Sequence, residues 1–293
     1  MIPDVRVCSV CAWRETCQKK FVTVVDTFCR VHCPDYTKDV RIKDNEIGDK
    51  IVEYHLERWR NIGKPRLDFV IAISRQAGAG GSEIARRLAE EFKMDLVGRQ
   101  LIELVATSTK MNVKMVELLD EKAVSRIDSM ITSFFVARHL SPDVYFRHLT
   151  RVLAAIGDRG WSIIVGRGAH LILPREKTIR LRFIAPAESR IWFFIKTRQM
   201  THAEAQRYVE KADADRSGFI KKYFKADADD PTNFDLIVNT GDLGIETAYT
   251  VVAQMIRNRI QAEEKAKRED PLHRGQYERR RSGVSDRRRA SKA

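Results

Sequence analysis

The stretch RQAGAGGS, Arg75 to Ser82, places glycine at 78, 80 and 81 and ends on a hydroxyl. Glycines let successive backbone N–H groups turn inward around an anion, and a helix starting behind them adds the positive end of its dipole. Against the phosphate-loop pattern G-x-x-x-x-G-K-[ST], Gly80 takes the second glycine and Ser82 the hydroxyl that faces Mg²⁺. Arg75 stands where the first glycine belongs, and Gly81 stands where the lysine belongs. The pattern is a partial match that points to phosphate binding with its cation displaced, against a glycine-rich turn that holds no ligand. The Arg75 guanidinium, at the mouth of the loop, can grip a phosphate through two parallel N–H bonds; the competing reading is a surface ion pair with Glu83.

Other charged residues fall where a phosphate site needs them. Arg167 follows the apolar run SIIV inside Gly166–Arg167–Gly168, at the end of an expected strand, where open α/β sheets bind ligands. Arg216, with Lys211 and Lys222, lies on a long charged helix whose alternative is a solvated face. Asp213 precedes Arg216 by three residues, as an ion-pair partner or an acid near a metal. The five cysteines are confined to Cys8–Cys33. Cys8 and Cys11 form a C-x2-C pair, and Cys17 and Cys33, with Cys29 or His32 as alternatives, complete a tetrahedral metal set, Zn²⁺ before an iron–sulfur cluster. Free or redox-active thiols are the other reading. No G-x-S-x-G or H-E-x-x-H pattern occurs, so hydrolase chemistry is not indicated. His170 reads as a packed histidine, and Trp192, Phe193 and Phe194 read as core.

The elements that must hold these residues follow from hydrophobic periodicity. LDFVIAIS, DLV, WSIIV, TIRLRFIA and FDLIVNT read as strands. SEIARRLAEEF, AESRIWFFIKTRQ and THAEAQRYVEKADADRSGFIKKYFK read as helices, with more helix between Gln100 and Arg159. Alternation of this kind predicts an α/β fold with a doubly wound, five-stranded parallel sheet. The domain plan is a small Cys-rich module at 1–43, a linker helix at 44–65, an α/β domain at 66–262 and a basic tail at 263–293 without apolar periodicity.

The net charge of +13 is uneven, because the last 37 residues carry 13 Lys and Arg against 6 Asp and Glu. Nonspecific contact with nucleic acid is open to such a tail, but the folded part does not call for it. No apolar run spans a bilayer and no secretory h-region opens the chain, so no membrane partner and a cytoplasmic location are expected.

Three segments in order, AISRQAGAGGSEIARRLAEEF, IIVGRGAHLIL and DADRSGFIKKYFKADADDPTNFDLIVNT, resemble the cytidylate kinase-like family of bacterial proteins, a divergent branch of the nucleoside monophosphate kinases. The resemblance runs from about Asp68 to Ile256. It implies a P-loop nucleoside monophosphate kinase-like fold with ATP and Mg²⁺ as cofactors, and phosphoryl transfer to a nucleoside monophosphate, CMP or dCMP. The family loop reads SRQ-x-G-x-G-G-x-E-I-A, so the absent lysine is a family trait. By the same resemblance Gly78, Gly80, Gly81 and Ser82 hold donor phosphates and metal, and Arg75 and Arg216 neutralise the transferring group. Arg99 and Arg167 hold the acceptor, while Asn239 and Thr240 lie near the donor base or simply shape a turn. Relatives carry an aspartate after the arginine of the G-R-D segment and another before the arginine of Y-D-R. Here those positions are Gly168 and Gly98. The alternative to an enzyme is a nucleotide-binding regulator that keeps the fold as a sensor.

Overall fold

A computed structural model describes residues 67–99, 102, 106, 121–140 and 143–269. The Cys-rich segment, the linker helix and the basic tail beyond 269 lie outside the described residues. The chain divides into two compact units, the first ending at Ala248 and the second beginning at Tyr249.

Five parallel strands form the sheet of the first unit: β1 (Val70–Arg75), β2 (Asp95–Val97), β3 (Ser162–Val165), β4 (Thr178–Ile184) and β5 (Leu236–Asn239), in spatial order β2-β3-β1-β4-β5. This is the doubly wound α/β sheet the sequence predicts. β1 sits at its centre, pairing Ile73 with Val165 of β3 on one side and Ser74 with Arg182 of β4 on the other. A strand buried on both faces needs continuous apolar character, and VIAI of β1 and SIIV of β3 have it.

Helices cover the sheet: α1 (Gly81–Phe92), α2 (Glu121–Ala137), α3 (Val144–Arg159), the short α4 (Ala169–Ile172), α5 (Ala187–Arg198) and α6 (His202–Phe224). α1 buries Ile84, Ala85 and Leu88 along one stripe. α6 starts at a capping box, in which the Thr201 hydroxyl accepts from the Glu204 amide while the Glu204 carboxylate accepts from the Thr201 amide. It is a single 23-residue helix, and its last turn drives Phe224 into the core beside Phe146 and Leu149. A final helix, α7, begins at Thr240 and runs to Glu269, broken by non-helical geometry at Gly244. Its residues from Tyr249 onward belong to the second unit. No helix among the described residues is long and apolar enough to cross a membrane.

Candidate phosphoryl-transfer site

The loop of the central strand is built from backbone alone. Gln76 leaves β1 by donating its amide to the Phe183 carbonyl at 2.9 Å. Gly80, with φ 71°, caps α1, and the amides of Glu83 and Ile84 return to its carbonyl at 3.0 Å. Among the described residues the amides of Gly78, Gly80, Gly81 and Ser82 find no acceptor, and neither does the Ser82 hydroxyl. Four open N–H groups around a helix start make an anion cradle. Glycine at 81 has a steric cause. A Cβ there would stand 2.9 Å from Arg75 Cβ and from Phe183 Cδ2, so the Arg75 side chain crosses the space in which a loop lysine would begin.

That side chain turns toward the end of β3, where a Cβ on Gly166 would lie 2.6 Å from its Nη1. There it lines a cavity of about 450 Å³ together with Arg99, Arg167, Arg182, Arg216 and Lys222. Arg75 makes no side-chain hydrogen bond or ion pair with any described residue, and its Nε is buried. The competing pair with Glu83 does not form; Glu83 holds Arg86 at 2.6 Å. Burial, followed by repulsion from Arg216, Arg99 and Arg167, lowers the Arg75 guanidinium from its ordinary value to about 9, with Asp213 opposing. Burial likewise lowers Arg216, again against the attraction of Asp213. Four guanidiniums thus converge in a cavity that Asp213, Asp215 and Asp229 also line. Gly78, Gly80, Gly81 and Ser82 do not line this cavity, which meets the loop through Arg75 and Gln76.

Each arginine is held by a different device. Arg167 is a non-glycine residue at φ 55° between Gly166 at 89° and Gly168 at 70°, a conformation costing roughly 1–2 kcal/mol. Its guanidinium lies 4.5 Å over the Phe219 ring. Arg216 donates through Nη1 to the Arg75 carbonyl and to Asp213 Oδ1, both at 3.2 Å, tying α6 to the end of β1. Asp213 also accepts the Ala77 amide at 2.8 Å and the guanidinium of Arg190, so it acts as an ion-pair partner and a loop anchor. Arg99 and Lys222 line the cavity from exposed positions.

The two glycines that depart from the relatives' acids are both buried. A Cβ on Gly168 would meet the Phe224 ring at 2.2 Å, so no aspartate fits there. Thr240 donates to the carbonyls of Ala79 at 3.0 Å and Ile184 at 3.3 Å, and Asn239 accepts the Gly241 amide at 3.0 Å; both shape the turn. His170 packs as expected, stacked 4.7 Å from Phe234. Burial first, then Arg182 and Arg180, hold its imidazole down at about 3. Trp192 departs from the expected core, being 49% exposed, whereas Phe194 is buried. Helix α5 presents Arg190 and Ile191 inward instead.

Three buried arginines escape the sequence reading, Arg180, which pairs with Asp235, and the two that bear on the site. Arg182 on β4 donates to Ser74 Oγ at 2.8 Å and pairs with Asp229, and Arg190 on α5 braces the loop through the carbonyls of Ala77 at 3.3 Å and Ala185 at 2.9 Å. The available signal was arginine inside the apolar runs TIRLRFIA and ESRIWFF, since a buried guanidinium must find a carboxylate or carbonyl. No group of three or more His, Cys, Asp or Glu among the described residues is placed to hold a metal ion.

The sequence model of the cytidylate kinase-like family matches residues 70–242, which carry β1, the loop, the arginine cavity and β5. The chain belongs to the cytidylate kinase-like family. Membership gives this cytidylate kinase-like protein a nucleotide kinase-like function, with nucleotides as substrates and ATP and Mg²⁺ as the family's general cofactors. Among solved structures it is similar to an uncharacterized protein from Eubacterium ventriosum, at 20% identity and a TM-score of 0.52. That alignment covers 65% of this chain and 99% of the other, and it bears on the fold alone. No curated protein matches the chain.

Proposed function

We propose that the protein transfers the γ-phosphoryl group of ATP to a nucleoside monophosphate, with CMP or dCMP as acceptor. The observation that carries this reading is Arg75. A desolvated guanidinium with no partner, ringed by Arg99, Arg167 and Arg216, is an arrangement that an incoming polyanion stabilises. Phosphoryl transfer asks a protein mainly for positioning and charge neutralisation. The open amides of Gly78, Gly80 and Gly81 would hold the donor phosphates, with the free Ser82 hydroxyl facing the metal. Mg²⁺, when bound, neutralises charge on the donor's terminal phosphates. Ser82 is the residue of the loop that would hold it. Arg75, reaching from the loop toward Gly166, supplies the cation that the missing lysine would have given, and Arg216 closes over it from α6. Arg99 and Arg167 would grip the acceptor phosphate. That phosphate is anionic near neutral pH, so no general base is required.

ADP formation by the purified protein with ATP and Mg²⁺, screened against each nucleoside monophosphate and a blank, tests the proposal. An acceptor-dependent rate lost in Arg167→Ala and Arg216→Ala is expected. ATP binding without turnover toward any acceptor would favour the nucleotide-binding regulator instead.

A further inference from the structure

The cavity has two chemically distinct ends. Arg75, without a side-chain partner among the described residues, reaches toward Gly166 in the cavity that Arg99, Arg167 and Arg216 also line. Arg182 lines the same cavity but is already paired. Around Arg182 the chemistry is mixed. Its Nη1 donates to Ser74 Oγ, its Nη2 pairs with Asp229 Oδ1, and its guanidinium lies 5.5 Å from the Phe234 ring on which His170 stacks. The imidazole of His170 stays neutral in this setting. Ser74, His170, Arg182 and Asp229 all line the cavity.

These groups differ in how far they are committed. The Arg182 side chain is 8% exposed and spent on Ser74 and Asp229, whereas the Asp229 side chain is 63% exposed and uses only Oδ1. Its second oxygen has no partner among the described residues. A carboxylate clamped through one oxygen by a buried arginine has a defined direction, and its other oxygen can only accept. One end of the cavity is thus built to neutralise phosphate, and the other to take a hydrogen bond from an uncharged polar group. Phe224 bars an aspartate at 168, Asp213 is occupied by Ala77, Arg190 and Arg216, and Asp215, which also lines the cavity, has no partner among the described residues to fix its direction.

We propose that Asp229, aimed by Arg182, reads the uncharged part of the phosphoryl acceptor by accepting a hydrogen bond from its hydroxyl or amino group. The proposal rests on the function proposed above and names the residue that selects the acceptor. Asp229 would touch the substrate; Arg182 acts through it and is a positioning residue.

Equilibrium binding separates the two levels. Calorimetric titration of CMP and of ATP–Mg²⁺, each into the full chain and into Asp229→Asn, needs no turnover. Because Asp229 is exposed, the variant is expected to fold, with melting as the check. CMP affinity should fall about 10–100-fold, the scale of one hydrogen bond to a charged group, while ATP affinity changes less than about 2-fold. Repeating the comparison with dCMP and UMP identifies the donor group. Insensitivity of dCMP to the substitution assigns the 2′-hydroxyl, insensitivity of UMP assigns the exocyclic amine, and sensitivity of both assigns the remaining sugar hydroxyl. Arg182→Lys keeps the charge without the forked grip, so it should weaken CMP in the same direction, and the double variant should be no weaker than Asp229→Asn. Equal CMP binding by the full chain and Asp229→Asn would overturn this inference alone, as would equal losses for CMP and ATP. Failure of the unaltered protein to bind any nucleoside monophosphate would overturn the proposed acceptor class and this inference together.

Discussion

Replacing Arg75 by methionine should make the ligand-free protein more stable while removing the stabilisation that nucleotide confers. The guanidinium is desolvated, unpartnered and repelled by three others, which lowers it from the ordinary arginine range to about 9. At about 1.4 kcal/mol per tenfold change the upper bound on that cost is about 5 kcal/mol. Relaxation and solvent penetration leave about 1–3 kcal/mol, or a melting temperature higher by about 3–9 °C for a domain of this size. The pH dependence has a definite sign. Below about 9 the native residue is charged and the cost is present in full. Above about 9 the native state has released the proton while the unfolded chain, at the ordinary arginine value, keeps it, so stability rises with pH there. The gap between wild type and Arg75→Met should therefore narrow above pH 9. Saturating ATP, at about 100 times its dissociation constant, should add about 2.7 kcal/mol to the wild type and much less to the variant. Thermal melts at several pH values, with and without ATP–Mg²⁺, measure all of this. A variant that melts lower than wild type yet responds fully to ATP would refute the reasoning.

Other perturbations test separate parts of the site. Restoring the loop lysine by Gly81→Lys should cost about 1–3 kcal/mol and lower activity, because the new Cβ strikes Arg75 and Phe183 at 2.9 Å; melting and turnover check it. Gly168→Asp should destabilise by more than about 3 kcal/mol, since the side chain enters the Phe224 ring and sits at φ 70°, and chemical denaturation reads the loss. Asp213→Ala should cost about 3–5 kcal/mol by leaving the buried Arg190 without its carboxylate, with a shifted denaturation midpoint as the readout. His170, lowered from 6.5 to about 3, is protonated more readily in the unfolded chain. Its contribution is complete above about pH 6.5 and is lost as pH falls toward 3, so His170→Phe should be less acid-sensitive in melts across that range.

The sheet was legible because its strands are buried on both faces and therefore continuous in hydrophobicity, as in VIAI and SIIV. The loop was legible because three glycines between a strand and a helix restrict the backbone. Arg75, Arg99, Arg167 and Arg216 could be singled out by position, and the structure gathers all four in one cavity. What pattern could not convey is which neighbour fills a space. The absent lysine follows from Arg75 crossing over Gly81, and the absent aspartate follows from Phe224 lying against Gly168, contacts made across the fold. Arg182 and Arg190 were hidden for a related reason, since their partners Asp229 and Asp213 lie 47 and 23 residues away in sequence. Trp192 sits in an apolar run, yet α5 turns its inward face by one position, to Arg190, Ile191 and Phe194. The Cys-rich segment, with Cys8, Cys11, Cys17 and Cys33 as candidate ligands, lies outside the described residues, and Zn²⁺ there is a proposal for metal analysis of the purified chain.

The most direct test follows the phosphorus atoms themselves. Phosphorus NMR of the purified protein with ATP, Mg²⁺ and CMP resolves ATP, ADP, CDP and inorganic phosphate in one spectrum. ADP and CDP should grow together at the expense of ATP and CMP, with little inorganic phosphate, and neither should grow with Arg75→Met. ATP loss to inorganic phosphate without CDP, repeated with every other nucleoside monophosphate, would contradict it.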